Sequence, residues 1–270
     1  MIWGKRMAEE EPKRLKIPRS RRLTIDVLHY HQKVPTCAHD RICELEELTN
    51  LRNSVPVRIS WSIMFIKAYA LVAEKHPLLR QTYMKWPWPH LYQHPYSVAM
   101  MVTERELEGE RWLFWSKFNK PEKKSLLELQ TELDRYLTAP AKKKYRQQWQ
   151  LSWFPTFIRR IFWWWTLNVS GQRRAKHSGT CFLTTLAGKN TEIQHPPAFL
   201  TGNFTYGPLD DQGRCRLTLA YDHRIMDGSF IADCLEEIEN NLKEIIADEL
   251  RSLSSERTRL DLSGTNLKAA

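Results

Sequence analysis

Several features of secreted and membrane-spanning proteins are missing from this sequence of 270 residues. Its five cysteines are odd in number, widely spaced and without a Cys-x-x-Cys pair, which argues against a disulfide framework and a zinc site. The polar, basic segment 1–22 has no apolar core like that of a secretory signal. No run of about 18 apolar residues marks a transmembrane helix. We therefore expect a protein of a reducing compartment, located in the cytoplasm.

Internal repeats and interior linkers are also missing, so the sequence predicts one folded unit at residues 21–252. A flexible basic leader is expected at 1–20 and a polar tail at 253–270. The composition, 42% apolar and 27% charged, is that of a globular protein. The formal charge of +10 predicts attraction to anions such as CoA, acidic carrier proteins or anionic lipid. No nucleic-acid-binding module is recognisable, so no nucleic-acid partner is expected.

Hydrophobic periodicity predicts helices and strands mixed along the chain. Ser60 is a suitable N-cap and Pro77 a suitable terminator for an apolar helix over 61–75. An amphipathic helix is predicted at 125–137. The other predicted elements are a strand at 23–28, a helix at 40–51, short aromatic strands within 80–102, strands at 179–186 and 215–221, a hairpin turn at 210–213 and a helix at 229–250.

The most informative segment, 222–228, reads DHRIMDG and joins an apolar, strand-like run to a long amphipathic stretch. Imidazole titrates near neutrality, so a histidine here can accept a proton from a hydroxyl or a thiol. The Asp-Gly pair can form a turn that holds the ring in place. By itself, the pattern His-x-x-x-Asp-Gly is more typical of an ordinary strand-to-helix turn with an incidental histidine. The neighbouring segments therefore decide its interpretation.

Segment 217–228, LTLAYDHRIMDG, resembles the active-site motif of the chloramphenicol acetyltransferase-like superfamily. It resembles above all the catalytic domain of dihydrolipoamide acyltransferases, the cores of 2-oxoacid dehydrogenase complexes. Segment 178–186 is similar to the strand that carries a catalytic hydroxyl there, and 124–129 to one of the helix starts. Segment 153–158 looks more like the chloramphenicol acetyltransferase branch. The resemblance covers residues 20–250 and implies an α/β fold (an α+β two-layer sandwich) with a mixed sheet flanked by helices.

The resemblance also implies a catalytic role for individual residues. His223 matches the general base, and Thr184 matches the hydroxyl that stabilises the tetrahedral oxyanion. Asp227 matches a structural carboxylate that pairs with an N-terminal arginine, and Gly228 would permit the tight turn into the next helix. The candidate arginines are Arg19, Arg21 and Arg22.

An acyltransferase is the enzyme that this resemblance implies. It would move an acyl group from CoA or a carrier-protein thioester directly to a hydroxyl, amine or thiol. The family also implies a homotrimer with active sites between subunits, so that His223 of one chain would face Thr184 of its neighbour. No metal or cofactor is expected, since the thioester is already activated. The alternatives are a dihydrolipoamide acyltransferase core served by a separate lipoyl protein, and a non-catalytic trimeric scaffold.

The aromatic and basic segment 149–165 is the largest departure from the family. One interpretation assigns its rings to the acyl pocket or the trimer core, with Trp163, Trp164 and Phe182 as substrate-binding candidates. The other assigns them to peripheral contact with the inner face of a membrane. Tryptophan favours the membrane–water interface, and arginine can meet lipid phosphates. Two adjacent arginines in the middle of the segment exclude a spanning helix in either case.

Overall fold

A six-stranded mixed sheet forms the centre of the computed structural model, which describes residues 14–255. The strands are β1 (Thr36–Glu44), β2 (Gln81–Met84), β3 (His90–Gln93), β4 (Val98–Leu107), β5 (Glu110–Asn119), β6 (Cys181–Leu183), β7 (Gly202–Tyr206) and β8 (Arg214–Asp222). The order in the large sheet is β1-β8-β7-β6-β4-β5, and β2 with β3 forms a separate antiparallel hairpin. In the large sheet β6 runs parallel to both of its neighbours, and the other pairs are antiparallel.

Helices flank this sheet. They are α1 (Arg19–His31), α2 (Glu46–Ser54), α3 (Trp61–Lys75), α4 (Leu126–Thr138), α5 (Ala141–Lys144), α6 (Arg146–Leu151), α7 (Thr156–Asn168), α8 (Gly171–Ser178) and α9 (Gly228–Asn241). Beyond α9 a π-helical turn, Leu242–Ile246, leads into helical residues 247–255. Within residues 14–255, no helix combines the length and the apolar character needed to cross a membrane. The expected mixed sheet flanked by helices is confirmed.

The main core lies where α3, α4 and α9 pack on one face of the sheet. Helix α3 has the predicted bounds because Ser60 stays extended before it and Pro77 begins a new 3₁₀ turn after it. Its buried rings stack on strand β7, with Phe65 at 4.5 Å from Tyr206 between ring centroids. Each such buried ring contributes about 1.5–3 kcal/mol of transfer free energy. The sheet that carries the candidate residues is therefore a rigid support.

A second cluster, called here the aromatic cluster, lies where α1 and α7 cover the opposite face of the sheet. Its buried members are Tyr30, Met100, Trp163, Leu167, Phe182, Phe199 and Leu200. A buried ion pair joins the two helices: Arg159 donates from Nε to Asp26 Oδ2 at 2.6 Å and from Nη2 to Oδ1 at 3.1 Å. This pair fixes which face of α7 turns inward.

Two predictions near the N-terminus are wrong. Segment 23–28 is predicted as a strand but lies in α1, where Leu23, Asp26 and Tyr30 are buried at helical spacing. Segment 40–51 is predicted as one helix, but its first part belongs to β1. Pairing of β1 with β8 along its whole length outweighs the local helical pattern there.

The predicted leader and tail fall largely on residues 1–13 and 256–270, which lie outside the described residues. Inside the described range, α1 begins at Arg19 and the C-terminal helical stretch reaches residue 255. Helical structure therefore extends past both predicted boundaries of the folded unit, at 21 and 252.

Candidate functional site

The motif at 222–228 forms the loop between β8 and α9, as its sequence predicts. Backbone hydrogen bonds hold the loop from two sides. The amide of His223 donates to the carbonyl of Pro35 at 3.0 Å, and the amide of Asp222 donates to the carbonyl of Thr201 at 3.2 Å. These bonds fix the backbone from which the histidine side chain projects.

The imidazole of His223 lies beside the carboxylate of Asp227, with 3.5 Å between Nδ1 and Oδ1. The side chain of His223 is 44% exposed and that of Asp227 is 84% exposed. A carboxylate next to Nδ1 favours the tautomer that carries its proton there, which leaves Nε2 able to accept one. Within the described residues Nε2 makes no hydrogen bond, so this nitrogen of the half-exposed ring can act as an acceptor.

The predicted arginine partner of Asp227 is not found within the described chain. Arg19 instead pairs with Glu108 at 3.2 Å, and Arg22 donates to a backbone carbonyl near the end of α6. Arg21 is exposed and forms no ion pair within residues 14–255. In a single chain, the ion pair of Asp227 is with His223.

The buried carboxylate of this loop is Asp222, which sequence reasoning missed. Arg224 donates to it twice, from Nε to Oδ1 at 2.8 Å and from Nη2 to Oδ2 at 2.6 Å. The guanidinium also lies over the ring of Tyr83, 4.3 Å from its centroid. In the sequence, this pair could have been predicted from an aspartate two residues before an arginine at an expected turn. Asp222 therefore ties Arg224 to the end of β8 and restricts the shape of the loop.

Gly228 is the first residue of α9 and lies next to the ring of His39. Its φ angle is not in the left-handed region. A Cβ at this position would lie 2.9 Å from Nε2 of His39, which is closer than side chains pack. The ring of His39 stacks on Tyr221 at 5.6 Å, and Tyr221 lies 5.7 Å from His223. The rings of His39 and Tyr221 therefore lie beside the loop at 222–228, and the exposed ring of His39 is free to move.

Thr184 directly follows β6 and is half-buried. Its amide donates to the carbonyl of Phe204 at 3.2 Å, while its hydroxyl has no hydrogen-bond partner in the part of the chain that the structure describes. The next residue differs, since Thr185 Oγ1 donates to the carbonyl of Tyr206 at 2.7 Å and accepts from the amide of Ala187 at 3.0 Å. Of the two threonines, Thr184 keeps its hydroxyl available to a ligand.

His223 and Thr184 lie towards opposite ends of the strands, His223 after β8 and Thr184 after β6, with β7 between them. The registers of β6, β7 and β8 place Thr184 level with Thr218 of β8, two strands away. Thr218 lies five positions before His223 along the chain. At about 3.3 Å per residue and about 4.8 Å per strand, their backbones are about 19 Å apart. The two side chains cannot reach one reacting atom across that gap. A single chain therefore does not assemble the predicted catalytic pair.

The three aromatic candidates occupy two different environments. Trp163 and Phe182 are buried in the aromatic cluster, each within 6 Å of the ring of Phe199. Trp164, by contrast, is 44% exposed and borders open space. The structure therefore brings Trp163 and Phe182 together and separates Trp164 from both.

Trp164 lines a groove of about 130 Å³ that reaches the motif loop at Arg224. The lining contains no acidic residue. Its other cations are Lys33, Lys85 and Arg174, and its aromatic walls include Tyr30 and Tyr83. The groove adjoins the loop at 222–228, since the lining residue Val34 precedes the proline whose carbonyl accepts from the His223 amide. A basic groove with aromatic walls suits an anionic ligand.

Arg174, at the floor of the groove, is buried without a carboxylate partner among the described residues. Its hydrogen bonds go to backbone carbonyls, at 3.2 Å to Leu167 and 2.9 Å to Phe199. Burial lowers the pKa of Arg174 to about 10. The groove therefore keeps a positive charge that no side chain of its lining neutralises.

The cysteines are free thiols, and four of the five are buried. Cys181 in β6 faces the main core, where burial raises the pKa of its thiol to about 12. It cannot supply a thiolate near neutral pH. Within residues 14–255, no group of three or more His, Cys, Asp or Glu side chains is arranged to hold a metal ion.

No protein-family model matches the chain, and no curated protein matches it. Solved structures do match. The catalytic core of a 2-oxoacid dehydrogenase complex from Thermoplasma acidophilum is 12% identical, with a TM-score of 0.64 over 86% of this chain and 99% of that one. Dihydrolipoamide acetyltransferase from Azotobacter vinelandii is 16% identical, with a TM-score of 0.62 over 88% and 94%.

A chloramphenicol acetyltransferase is also similar, at 10% identity, with a TM-score of 0.51 over 80% of this chain and 94% of that one. These likenesses establish the fold. The chain has the chloramphenicol acetyltransferase-like fold, which confirms the fold expected from the resemblance at 217–228.

Proposed function

We propose that this protein is an acyltransferase of the cytoplasm that moves an acyl group from a CoA or carrier-protein thioester to a hydroxyl, amine or thiol. The observation that carries the proposal is His223, held on a fixed loop with an accessible Nε2 and a carboxylate at Nδ1. In the Azotobacter vinelandii enzyme, a serine, a histidine and an asparagine four residues after it have roles in the catalytic mechanism. His223 and Asp227 have the same spacing, and Thr184 offers a hydroxyl.

In the proposed reaction, His223 removes the proton from the acceptor atom, which then attacks the thioester carbonyl carbon. A new bond forms to that carbon, and the carbonyl oxygen becomes a tetrahedral oxyanion. The hydroxyl of Thr184 donates a hydrogen bond to this oxyanion. When the intermediate collapses, the carbon–sulfur bond breaks and the departing thiolate takes the proton back from His223. The reaction needs no metal or resident cofactor, since the thioester is already activated.

The proposed site is completed by a second copy of the chain. His223 and Thr184 are about 19 Å apart within one chain, by the register of the sheet. A closed ring of identical subunits would supply Thr184 of one copy to His223 of the next at every interface. We propose that this ring is a homotrimer.

The basic groove beside the loop supports a phosphate-bearing donor. CoA and the prosthetic arm of a carrier protein both carry phosphate, and Lys33, Lys85 and Arg174 offer positive charge next to the loop. Substituting Lys33→Ala and Lys85→Ala together should raise KM for the CoA thioester severalfold and leave kcat near the wild-type value. Arg58→Ala, at an exposed cation away from the groove, is the matched control.

The test of the proposal is release of CoA from a panel of acyl-CoA thioesters, with small alcohols, amines and thiols as acceptors. Turnover should fall about 10²–10⁴-fold in His223→Gln, because its general base is lost. His90→Gln, at an exposed histidine of β3, should retain full activity. If no thioester is turned over and His223→Gln is indistinguishable from wild type, the chain is a scaffold and the proposal fails.

A dihydrolipoamide acyltransferase core is the alternative function, because the similar structures include the cubic core of a pyruvate dehydrogenase complex. The mass of the native assembly and the preferred acyl acceptor distinguish this function from that of a stand-alone acyltransferase. A large shell that prefers dihydrolipoamide would identify a core of that type, whereas a single trimer that rejects dihydrolipoamide would support a stand-alone enzyme.

A further inference from the structure

Helix α7 is apolar on two opposite faces. The inner face, with Trp163 and Leu167, packs on the sheet. The outer face remains uncovered, and its six apolar residues are between 37% and 66% exposed. At about 3.6 residues per turn they form one continuous arc of about 160°. These residues, called here the α7 outer face, are Phe157, Ile158, Ile161, Phe162, Trp164 and Trp165.

The orientation of this face is built into the fold. The buried pair of Arg159 with Asp26 holds the inner face against α1, so α7 cannot rotate to cover its outer rings without breaking two short hydrogen bonds. Just before α7, Trp153 and Phe154 are also exposed and extend the apolar surface. Apolar patches of this extent on a folded chain mark contact surfaces.

Unpaired cations lie close to the outer face. Residues 135–191 contain no aspartate or glutamate and eleven lysines and arginines, of which Arg159, Lys142 and Lys189 pair with carboxylates from other parts of the chain. Next to the outer face, the ring of Phe162 contacts the ring of His177. Partial burial and the nearby Lys176, Lys117 and Arg173 lower the pKa of His177. None of these three cations forms an ion pair with a carboxylate of the described chain; the Lys117 ammonium donates instead to the carbonyl of Lys176. The rim of the face is therefore positive and not neutralised.

We propose that the α7 outer face docks on the surface of a membrane that contains anionic lipid. Tryptophan and phenylalanine side chains enter the boundary between head groups and acyl chains, and the cations at the rim meet lipid phosphates. An anionic membrane is a better partner for this face than the same face of a second copy, because two copies would bring identical unpaired cations together. With Arg159 buried and Arg160 beside it, α7 lies along the surface and does not cross the bilayer.

Vesicle flotation tests the proposal with the whole protein, using phosphatidylcholine vesicles with and without phosphatidylglycerol. Binding should require phosphatidylglycerol and weaken with salt, since each cation near such a surface strengthens binding about fivefold. The triple variant Phe157→Ala/Ile161→Ala/Trp165→Ala should bind at least about tenfold more weakly. Trp88→Ala, at a 70% exposed tryptophan of the β2–β3 turn, should bind like wild type.

Charge reversal gives an independent readout. Arg173→Glu/Lys176→Glu should reduce binding to the anionic vesicles at least about tenfold. Arg58→Glu/Arg111→Glu changes the net charge equally at exposed sites in the α2–α3 loop and in β5, and should have a much smaller effect. All substituted side chains are exposed, so the melting temperatures should stay close to that of wild type, which circular dichroism checks.

Three results would overturn the docking proposal: no binding of the wild type to anionic vesicles at low salt, unchanged binding of the triple variant, or dissociation of the oligomer by the triple variant. The last would show that the face lies between copies of the chain. Turnover of a water-soluble thioester, measured on the same variants, should be unchanged. Docking and acyl transfer can therefore fail independently.

Discussion

The buried ion pair between Asp26 and Arg159 predicts a large and specific loss of stability when one partner is removed. Both side chains are almost completely buried, and Asp26 accepts two hydrogen bonds at 2.6 and 3.1 Å. Asp26→Leu would leave the guanidinium buried with two donors unpaired. Removing one partner of a buried pair costs about 3–5 kcal/mol. For a chain of this size the melting temperature should fall by about 6–20 °C.

The double variant Asp26→Leu/Arg159→Met separates the pair from the packing around it. Both charges are then gone, so the free energy of unfolding should return to within about 1 kcal/mol of wild type. Urea unfolding of wild type, both single variants and the double variant measures the coupling. Lys75→Ala, at a more exposed pair with Glu237, should cost less than about 1 kcal/mol. The reasoning would be refuted if either single variant lost less than about 1 kcal/mol of unfolding free energy. It would also be refuted if the double variant were no more stable than the less stable single variant.

Three further predictions concern the loop, the hydroxyls and the thiols. Gly228→Ala should change the free energy of unfolding by less than about 1 kcal/mol in thermal unfolding, because the exposed ring of His39 can move away from the new Cβ. Thr184→Ala should lower kcat about 10²–10³-fold at unchanged stability, whereas Thr185→Ala should cost about 1 kcal/mol in unfolding because it loses two local hydrogen bonds. A thiol reagent at pH 8 should label Cys37 in the native protein, while the four buried thiols should react only after unfolding.

A specific result would contradict each of these predictions. If Gly228→Ala loses much more than about 1 kcal/mol, the ring of His39 cannot move aside as its exposure indicates. Equal activity of Thr184→Ala and wild type would remove the proposed oxyanion donor. Rapid labelling of Cys181 in the folded protein would contradict its place in the main core.

Elements with local signals could be predicted from the sequence. Helix α3 begins and ends where Ser60 and Pro77 indicate, and α4 begins at the predicted cap, since Ser125 and Glu128 form a reciprocal capping box. The turn at 210–213 joins β7 to β8 as expected. In each case the deciding residues lie within a few positions of the element.

Elements decided by distant residues could not be predicted. Segment 23–28 alternates like a strand, but its aspartate is buried only because Arg159, far along the chain, pairs with it. Residues 40–44 look helical until their pairing with β8 is known. The same contrast between local signals and distant contacts applies to the candidate site. His223 follows from a local motif, whereas the roles of Asp222 and His39 depend on contacts that no spacing reveals.

Complementation between two inactive variants tests the central claim most directly, that acyl transfer uses His223 of one subunit and Thr184 of another. His223→Gln and Thr184→Ala are each purified, then unfolded, mixed in equal amounts and refolded together. If the site is shared, a random mixture should recover about one quarter of wild-type turnover, since half of the subunits supply each intact residue. Refolded single variants should stay inactive. A mixture no more active than the single variants, although mixed oligomers have formed, would contradict the account.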